Sequence, residues 1–574
     1  MSVSSNRNIE KKKGGLFFQA GILTAAGMIS RVIGLLYTSP QAAIIGDEGN
    51  GYYSAAYAIY TIILLISSYS IPSAMSKIIS AKLAVGEFKN AHRIFKCALV
   101  YVSIIGALGA IFLYVGADFL AAGRSATVLR VFAPTIFLYG FLGVLRGYFQ
   151  AHRTMIPTSV SQILEQIANA LITISAALIL TGIAGNEDPS KRAMYGAIGS
   201  AIGTGSGVLV ALLFMLSVYS LNRERLKKDI RSDEHQELAN KEIFRLIIMI
   251  VTPFLLSTFI YNLSTSLNST LFSRILMHIR NIDESQVASM YGIFNRKSMA
   301  ITNLPIAFAS ATAAAMIPEI SALFAKKDTE NTSTTVSKVT KVILLIAIPS
   351  AAGLLFLSKP IIMILFPQKS SLDEAALLLR CLSVTVVFYS LSTVSNAVLQ
   401  GIGKVNVPVF NALIALVIQT LVLSVLLLNT PLTDVSLCVA TIVYSLLMCI
   451  LNSLSLKKYI VISNDIKKTY VLPIISSLVM GVASWGTYQL ISFVFYIIKK
   501  NSFASTVEET VTFNEYLFSN YFVNLSATFI SIIVAVVVYF VVLIASGGAS
   551  EDELKRLPKG YKAVGLFKKL KLLR

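Results

Sequence analysis

The chain has 574 residues, of which 55% are apolar and only 14% charged, and it carries a formal net charge of +20. Apolar runs recur along the whole length, which excludes a soluble protein built on one large core and points to a polytopic membrane protein. The charge alone would suit nucleic acid, but the basic residues fall in the gaps between apolar spans, where positive-inside charge belongs, so no nucleic-acid partner is expected.

In chain order, residues 1–16 are polar and basic (Arg7, Lys11, Lys12, Lys13), and the segment 17–40 is too long for a signal-peptide core, so it reads as a retained first helix. Further spans follow at 51–76, 94–116, 126–149, 157–183, 193–219, 243–273, 287–318, 336–358, 374–400, 406–429, 433–456, 470–498 and 520–545, fourteen in all. With both ends in the cytoplasm, about 35 of the 49 Lys and Arg residues lie inside and about eleven outside. The outside loops hold the acidic pairs Asp47-Glu48, Glu187-Asp188, Asp283-Glu284 and Glu508-Glu509, and the remaining three cations, Arg31, Arg296 and Lys297, are placed within spans. The expected site is a membrane with both chain ends on its cytoplasmic side.

Two halves are predicted. Leu138 to Pro157 resembles Phe388 to Pro408, each with an aromatic-Tyr start, a Gln at 150 or 400, a short basic turn and a Pro opening the next helix. A weaker echo, A-M-x-x-x-I-S, stands at 74–80 and 315–321. The expected organisation is an all-α membrane protein: an N-terminal lobe of six spans (1–220), a cytoplasmic linker (221–242), a second six-span lobe (243–458), two extra helices (459–550) and a basic amphipathic tail (551–574). Six spans per repeat relate the lobes by a pseudo-twofold axis along the membrane normal, with a cavity between them.

Cations at membrane depth are expensive and face protein or water. Arg31 and Arg296 both fall roughly 15 Å below the outer surface at 1.5 Å per residue. Two guanidiniums with few acids nearby suggest an anion site, and the planar fork of Arg suits phosphate. Asn295 and Lys297 flank Arg296, although Lys297 also reads as a snorkelling or paired side chain. Glu165 is the clear intramembrane carboxylate, with three readings: a partner for Arg31, a proton or cation site, or a residue hydrogen-bonded to Gln162, Gln166 and Asn169. Asn262 and Asn268 read as helix–helix hydrogen-bonding residues.

Other patterns carry no chemistry. Gly199, Gly203 and Gly207 recur every four residues inside an apolar span and make a close-packing face, not a phosphate loop. His92, His152, His235 and His278 form no ligand cluster, and Cys97, Cys381, Cys438 and Cys449 are scattered. There is no Walker A sequence and no nucleophile–base pair, so neither a metal, a cofactor nor an enzymatic activity is expected. The tail can place Leu566, Phe567, Leu570 and Leu573 against Lys568, Lys569 and Lys571 as an interfacial helix, or serve only as positive-inside charge.

The stretches ISRVIGLLYTSPQAAIIGDEGNGYYSAAYAIY, SIPSAMSKIIS and LRGYFQAHRTMIPTSVSQ resemble the bacterial polysaccharide-transport proteins related to MurJ, within the YtgP and SpoVB branch of the multidrug/oligosaccharidyl-lipid/polysaccharide exporter superfamily. The resemblance spans essentially the whole chain. It implies flipping of an undecaprenyl-diphosphate-linked sugar, lipid II in the MurJ case, by alternating access, with the head group in an arginine-lined cavity and the polyprenyl tail in a groove near the two extra helices. It places Arg31 at the first-helix cavity arginine and Arg296 near another. Where those proteins often carry Arg-Asp, this chain has Tyr37-Thr38, and spans seven, eleven and twelve hold no interior Asp or Glu apart from Asp434 at an end, so the family's sodium site does not carry over. The implied partners are a lipid-linked oligosaccharide, membrane lipids and cell-wall synthesis enzymes. The alternatives are a multidrug exporter, for which cavity acids would be expected, and a membrane scaffold that transports nothing.

Overall fold

The computed structural model describes the backbone of residues 2–65, 71–152, 154–185, 188–460, 465–502 and 520–548. The tail at 551–574, Glu187, the Glu508-Glu509 pair and the side chain of Asn262 lie outside the described residues. Among the described residues the regular structure is helical, and eleven helices are long and apolar enough to cross a membrane.

The first helix, α1 (Ser2–Leu64), joins what the sequence divides into spans one and two. Its two arms are divided at Gly46, inside the gap expected between those spans, where the backbone leaves the helical region with a φ of 70° that disfavours a side chain. Two further predicted spans, 243–273 and 287–318, are helical but are not among the eleven. The former is α8, introduced below, and the latter is built in three pieces. Together these account for the difference between fourteen predicted spans and eleven. The charged start of the predicted 374–400 span forms its own short helix.

The chain divides into two compact units, residues 1–292 and 293–574. In the first, α2 (Ile71–Ala84), α3 (Phe88–Val115), the short α4 (Ala117–Leu120), α5 (Ser125–Ala151), α6 (Ile156–Ala184) and α7 (Pro189–Arg231) follow α1. Two apolar clusters hold it. One joins Met75, Phe95, Tyr148 and Met215, and takes in Ile243 and Ile247 of α8 (Asn240–Arg274); the other joins Tyr53, Tyr60, Phe132 and Ala197. The unit closes with α9 (Glu284–Gly292), which lies so close to α1 that a β-carbon at Gly51 would collide with the backbone of Ala288. Glu284 accepts a 2.6 Å bond from the Arg124 amide.

The glycine stripe behaves as expected. A β-carbon at Gly199 would lie 2.6 Å from the Ala177 nitrogen, one at Gly203 2.5 Å from the Thr173 Cα, and one at Gly207 2.6 Å from the Glu165 carbonyl oxygen, so α7 seats directly on α6. Gly203→Leu is expected to cost about 3 kcal/mol or more, at the upper end for overpacking because backbone is what must move, and to show as a lower melting temperature in detergent.

The polar linker is ordered. Beyond Arg231, Asp233 accepts from the Lys89 amide at 2.6 Å and from the His235 amide at 2.9 Å, Asn90 spans Gln236 and Leu238, and Arg93 reaches Glu237 and Asn240. These bonds, the Lys89 amide foremost, lower the Asp233 carboxyl to about 2. A depressed carboxyl stabilises the folded form above its ordinary pKa of 3.8 and loses that contribution as pH falls through about 2. Amide protection of Lys89 and His235, read by hydrogen exchange, is therefore expected to persist from pH 7 to about 4 and to decline below that, whereas Asp233→Ala removes it at all pH values.

The second unit begins with a π-helical turn, Ile293–Met299, which leads into α10 (Ala300–Ala325). It continues through α11 (Thr329–Phe356), α12 (Ser358–Leu365), α13 (Leu372–Ser383), α14 (Thr385–Gly401), α15 (Asn406–Asn429) and α16 (Asp434–Lys457). A π turn at Lys467–Val471 then opens α17 (Leu472–Ser502), and α18 (Tyr521–Ala545) is last.

The two units repeat each other's turns bond for bond. The Thr154 amide donates to the Phe149 carbonyl and the Lys404 amide to that of Leu399; likewise His152 to Tyr148 and Ile402 to Val398. Earlier in each half, Glu87 donates to Lys82 and Gly86 to Leu83, as Asp328 does to Leu323 and Lys327 to Phe324. Even the left-handed residue recurs, as Gly86 (φ 82°) and Lys327 (φ 59°). These are the bonds with which helices commonly end at a left-handed residue, and the last helix closes the same way at Gly547 and Gly548.

Candidate functional site

Arg31 lies on α1 and is exposed, with no hydrogen bond or ion pair among the described residues. The apolar residues Ile29, Val32 and Leu36 are also exposed and share one stripe. At 100° per residue Arg31 projects about 130° away from the centre of that stripe. The face of α1 that meets α6 carries Gly34 and Tyr37, since a β-carbon at Gly34 would touch Gln166 and the Tyr37 hydroxyl accepts from Asn169 at 3.3 Å; Arg31 lies about 60° from Gly34 around the helix, with the exposed Met28 about 60° away on its other side. Arg31 is thus set apart from the centre of the exposed apolar stripe Ile29, Val32 and Leu36 on its own helix.

On α6 a polar row at four-residue spacing, Ser161, Glu165, Asn169 and Thr173, runs through the first unit. Arg146 of α5 donates through Nε to Ser161 at 2.9 Å and through Nη2 to Glu165 at 2.7 Å. Thr173 donates to Asn169 at 2.9 Å. Glu165 therefore pairs with Arg146 and not with Arg31. The Arg146 side chain is 6% exposed and that of Glu165 16%, so the carboxylate is the more accessible member.

Arg146 does not belong to the basic inner loop, where positive-inside charge would count it: it is a buried cation inside a span. Its signal was available. Arg146 and Glu165 lie roughly 8 Å and 14 Å from the facing ends of α5 and α6, a difference that an arginine side chain covers. Arg130 and Arg380, counted with the outer loops, also lie on helices, α5 and α13. Arg130 pairs with Asp118 at 2.5 Å and Arg380 donates to Ser358 at 2.7 Å.

In the second unit Asn295, Arg296 and Lys297 all fall in the π-helical turn Ile293–Met299. Such turns widen a helix and recur at functional sites. Asn295 and Arg296 are half-buried. Lys297 is 1% exposed; its Nζ donates to Ser371 Oγ at 2.6 Å and sits 6.0 Å from the centre of the Phe366 ring. Its charge is thus held within the packing of this unit, by a hydroxyl and a ring face. Asn268, expected to bond between helices, is 7% exposed and its Oδ1 has no hydrogen-bond partner. Among the described residues no group of His, Cys, Asp and Glu could hold a metal ion.

The second unit also holds a groove of about 440 Å³ where α10, α11, α17 and α18 meet, lined among others by Leu304, Pro305, Gly353, Met480, Ala535 and Tyr539. Its wall is almost entirely apolar.

The sequence signature of the polysaccharide biosynthesis protein family matches residues 18–324, and that of the MatE family matches 258–426. The Bacillus subtilis lipid II flippase MurJ is 25% identical over 479 residues, covering 80% of this chain and 86% of that protein. Stage V sporulation protein B of the same organism is 24% identical, covering 82% of this chain and 89% of that protein. Among solved structures, lipid II flippase MurJ in an inward closed conformation aligns with a TM-score of 0.62 at 15% identity, over 91% of this chain and 97% of that one. An inward-facing multidrug resistance MATE transporter aligns with a TM-score of 0.58 at 16% identity, over 75% of this chain and 96% of that one. The chain belongs to the polysaccharide biosynthesis protein family and is an all-helical, multi-pass membrane protein with the fold of the MurJ and MATE transporters.

Proposed function

We propose that this protein flips an undecaprenyl-diphosphate-linked cell-wall precursor, lipid II in the first instance, across the bacterial cytoplasmic membrane by alternating access between two six-helix lobes. The observation that carries the reading is Arg31, an exposed and unpaired guanidinium within a membrane span, turned away from the apolar stripe of its own helix. Arg296, at the same predicted depth, supplies the second guanidinium for the diphosphate, with Asn295 beside it and Lys297 behind. The long similarity to MurJ supports the substrate class. Both termini lie in the cytoplasm on this reading, and cell-wall synthesis enzymes are the natural partners.

An exporter of organic cations would need an available carboxylate, and Glu165 is already neutralised by Arg146. We assign Glu165 instead to coupling, through its ion pair with Arg146.

The apolar groove suits the polyprenyl tail. A β-carbon at Gly353 would meet nothing within 4 Å, so the side chain of Gly353→Leu starts into the groove without a clash at its first atom. In proteoliposomes, flipping of a fluorescent lipid II analogue is expected to slow by about threefold to tenfold with the melting temperature unchanged, because the tail loses packing contacts. An unchanged rate would remove the groove from the transport path.

A further inference from the structure

Arg130 and Arg380 stand at equivalent places in the two halves, each twenty residues before the glutamine of the repeated stretch, Gln150 or Gln400. The residues that follow them, 131–140 and 381–390, alternate between buried, half-buried and exposed in the same order at every position. The two guanidiniums are nevertheless held differently. Arg130 is half-buried and pairs with Asp118 at 2.5 Å. Arg380 is exposed and makes no ion pair among the described residues; its hydrogen bond there runs from Nε to Ser358 Oγ at 2.7 Å. Ser358 is fully buried, so this bond ties down the inner edge of the fork and leaves both Nη groups free. Asp373, on the same face of α13, is engaged by Lys359 at 2.7 Å, and Asp434, 9% exposed at the head of α16, forms no ion pair with Arg380.

The surroundings of this fork are apolar. Leu377 and Val384, 48% and 38% exposed, lie within about 60° of Arg380 around α13. Unlike Arg31, it therefore sits inside an exposed apolar stripe. Arg380 stands five residues before the midpoint of the span Lys369–Gly401, about 8 Å from the membrane centre towards the start of α13. The hydrocarbon half-thickness is about 15 Å and a helical side chain leans towards its N-terminus, so the fork reaches the phosphate level of that leaflet.

We infer that Arg380, positioned by Ser358, binds the phosphate of a membrane lipid whose chains lie along Leu377 and Val384. The leaflet is the one at the start of α13, the outer one when both chain ends are cytoplasmic. A fork with two free donor groups matches two phosphate oxygens, and in the first half the same need is met from within by Asp118. Two lipids offer that phosphate: a phospholipid such as phosphatidylglycerol, and an undecaprenyl diphosphate that has reached this leaflet. The site shares no residue with Arg31 and Arg296, and for phosphatidylglycerol it holds whether or not the protein transports lipid.

The test is arginine labelling of the full-length, delipidated protein in detergent with phenylglyoxal, mapped by peptide mass spectrometry. Phosphatidylglycerol, undecaprenyl diphosphate, diacylglycerol and inorganic phosphate are compared at equal concentrations. Phosphatidylglycerol or undecaprenyl diphosphate is expected to slow labelling of Arg380 about fivefold or more relative to diacylglycerol, and the one that protects at the lower concentration is the ligand. Labelling of Arg130, already paired, is expected to be indifferent to lipid. In native mass spectrometry Arg380→Gln is expected to weaken the protecting lipid about fivefold, Arg380→Lys less, and Arg130→Gln not at all. Ser358→Ala is expected to weaken it about threefold by freeing the fork, with binding of diacylglycerol unchanged. Equal labelling of Arg380 in the presence of all three lipids, or affinity for the protecting lipid that survives Arg380→Gln, would overturn the site. Protection by inorganic phosphate as strong as by either phosphate lipid would overturn the lipid assignment in favour of a free anion.

Discussion

Replacing Arg31 with alanine is expected to weaken binding of undecaprenyl diphosphate by roughly tenfold to a hundredfold, the worth of a charge-assisted hydrogen bond, while the melting temperature stays close to that of the unaltered protein. The two readouts separate because Arg31 is exposed and tied to nothing within the described structure. Removing it leaves no partner stranded. Arg31→Lys is expected to recover part of the loss, since an ammonium keeps the charge but not the fork that matches two phosphate oxygens. Isothermal or mass-spectrometric titration of both variants checks this. A fall in stability as large as the fall in affinity would make Arg31 structural.

The second large effect concerns Arg146 and Glu165. Glu165→Ala leaves a nearly buried guanidinium with only Ser161, and is expected to cost roughly 3 kcal/mol or more. Arg146→Met combined with Glu165→Leu replaces the pair by apolar groups of similar size, and is expected to melt within about 1 kcal/mol of the original. Because a buried pair adds little net stability over such a replacement, its presence calls for a second reason. The double variant is expected to flip lipid at least tenfold more slowly despite its restored stability. Flipping at the original rate would make the pair a tie between α5 and α6 and nothing more.

The sequence discloses some of these features directly and hides others, and the division has physical causes. The packing face at Gly199, Gly203 and Gly207 was legible because only glycine permits helix backbones so close, and the repeat at 150 and 400 because turns fix residue types locally. The break at Gly46 was legible, since the polar run Gly46-Asp47-Glu48-Gly49-Asn50-Gly51 marks the gap between spans one and two. Arg146 was hidden because position near a span end reads as loop charge unless its partner is paired with it across a hairpin. The reading of Lys297 as a paired side chain was legible, because one step along a helix turns it about 100° away from Arg296, here into Ser371 and Phe366. The π turn that carries both residues has no signature in composition.

The most direct test of the transport reading is a competition in proteoliposomes holding the full chain, in which a fluorescent lipid II analogue and a hydrophobic organic cation are offered in turn. Flipping of the lipid that falls at least tenfold in both Arg31→Gln and Arg296→Gln, with no transport of the cation, is the predicted result. Transport of the cation, indifferent to both arginines, would contradict the account and move the protein to the multidrug branch.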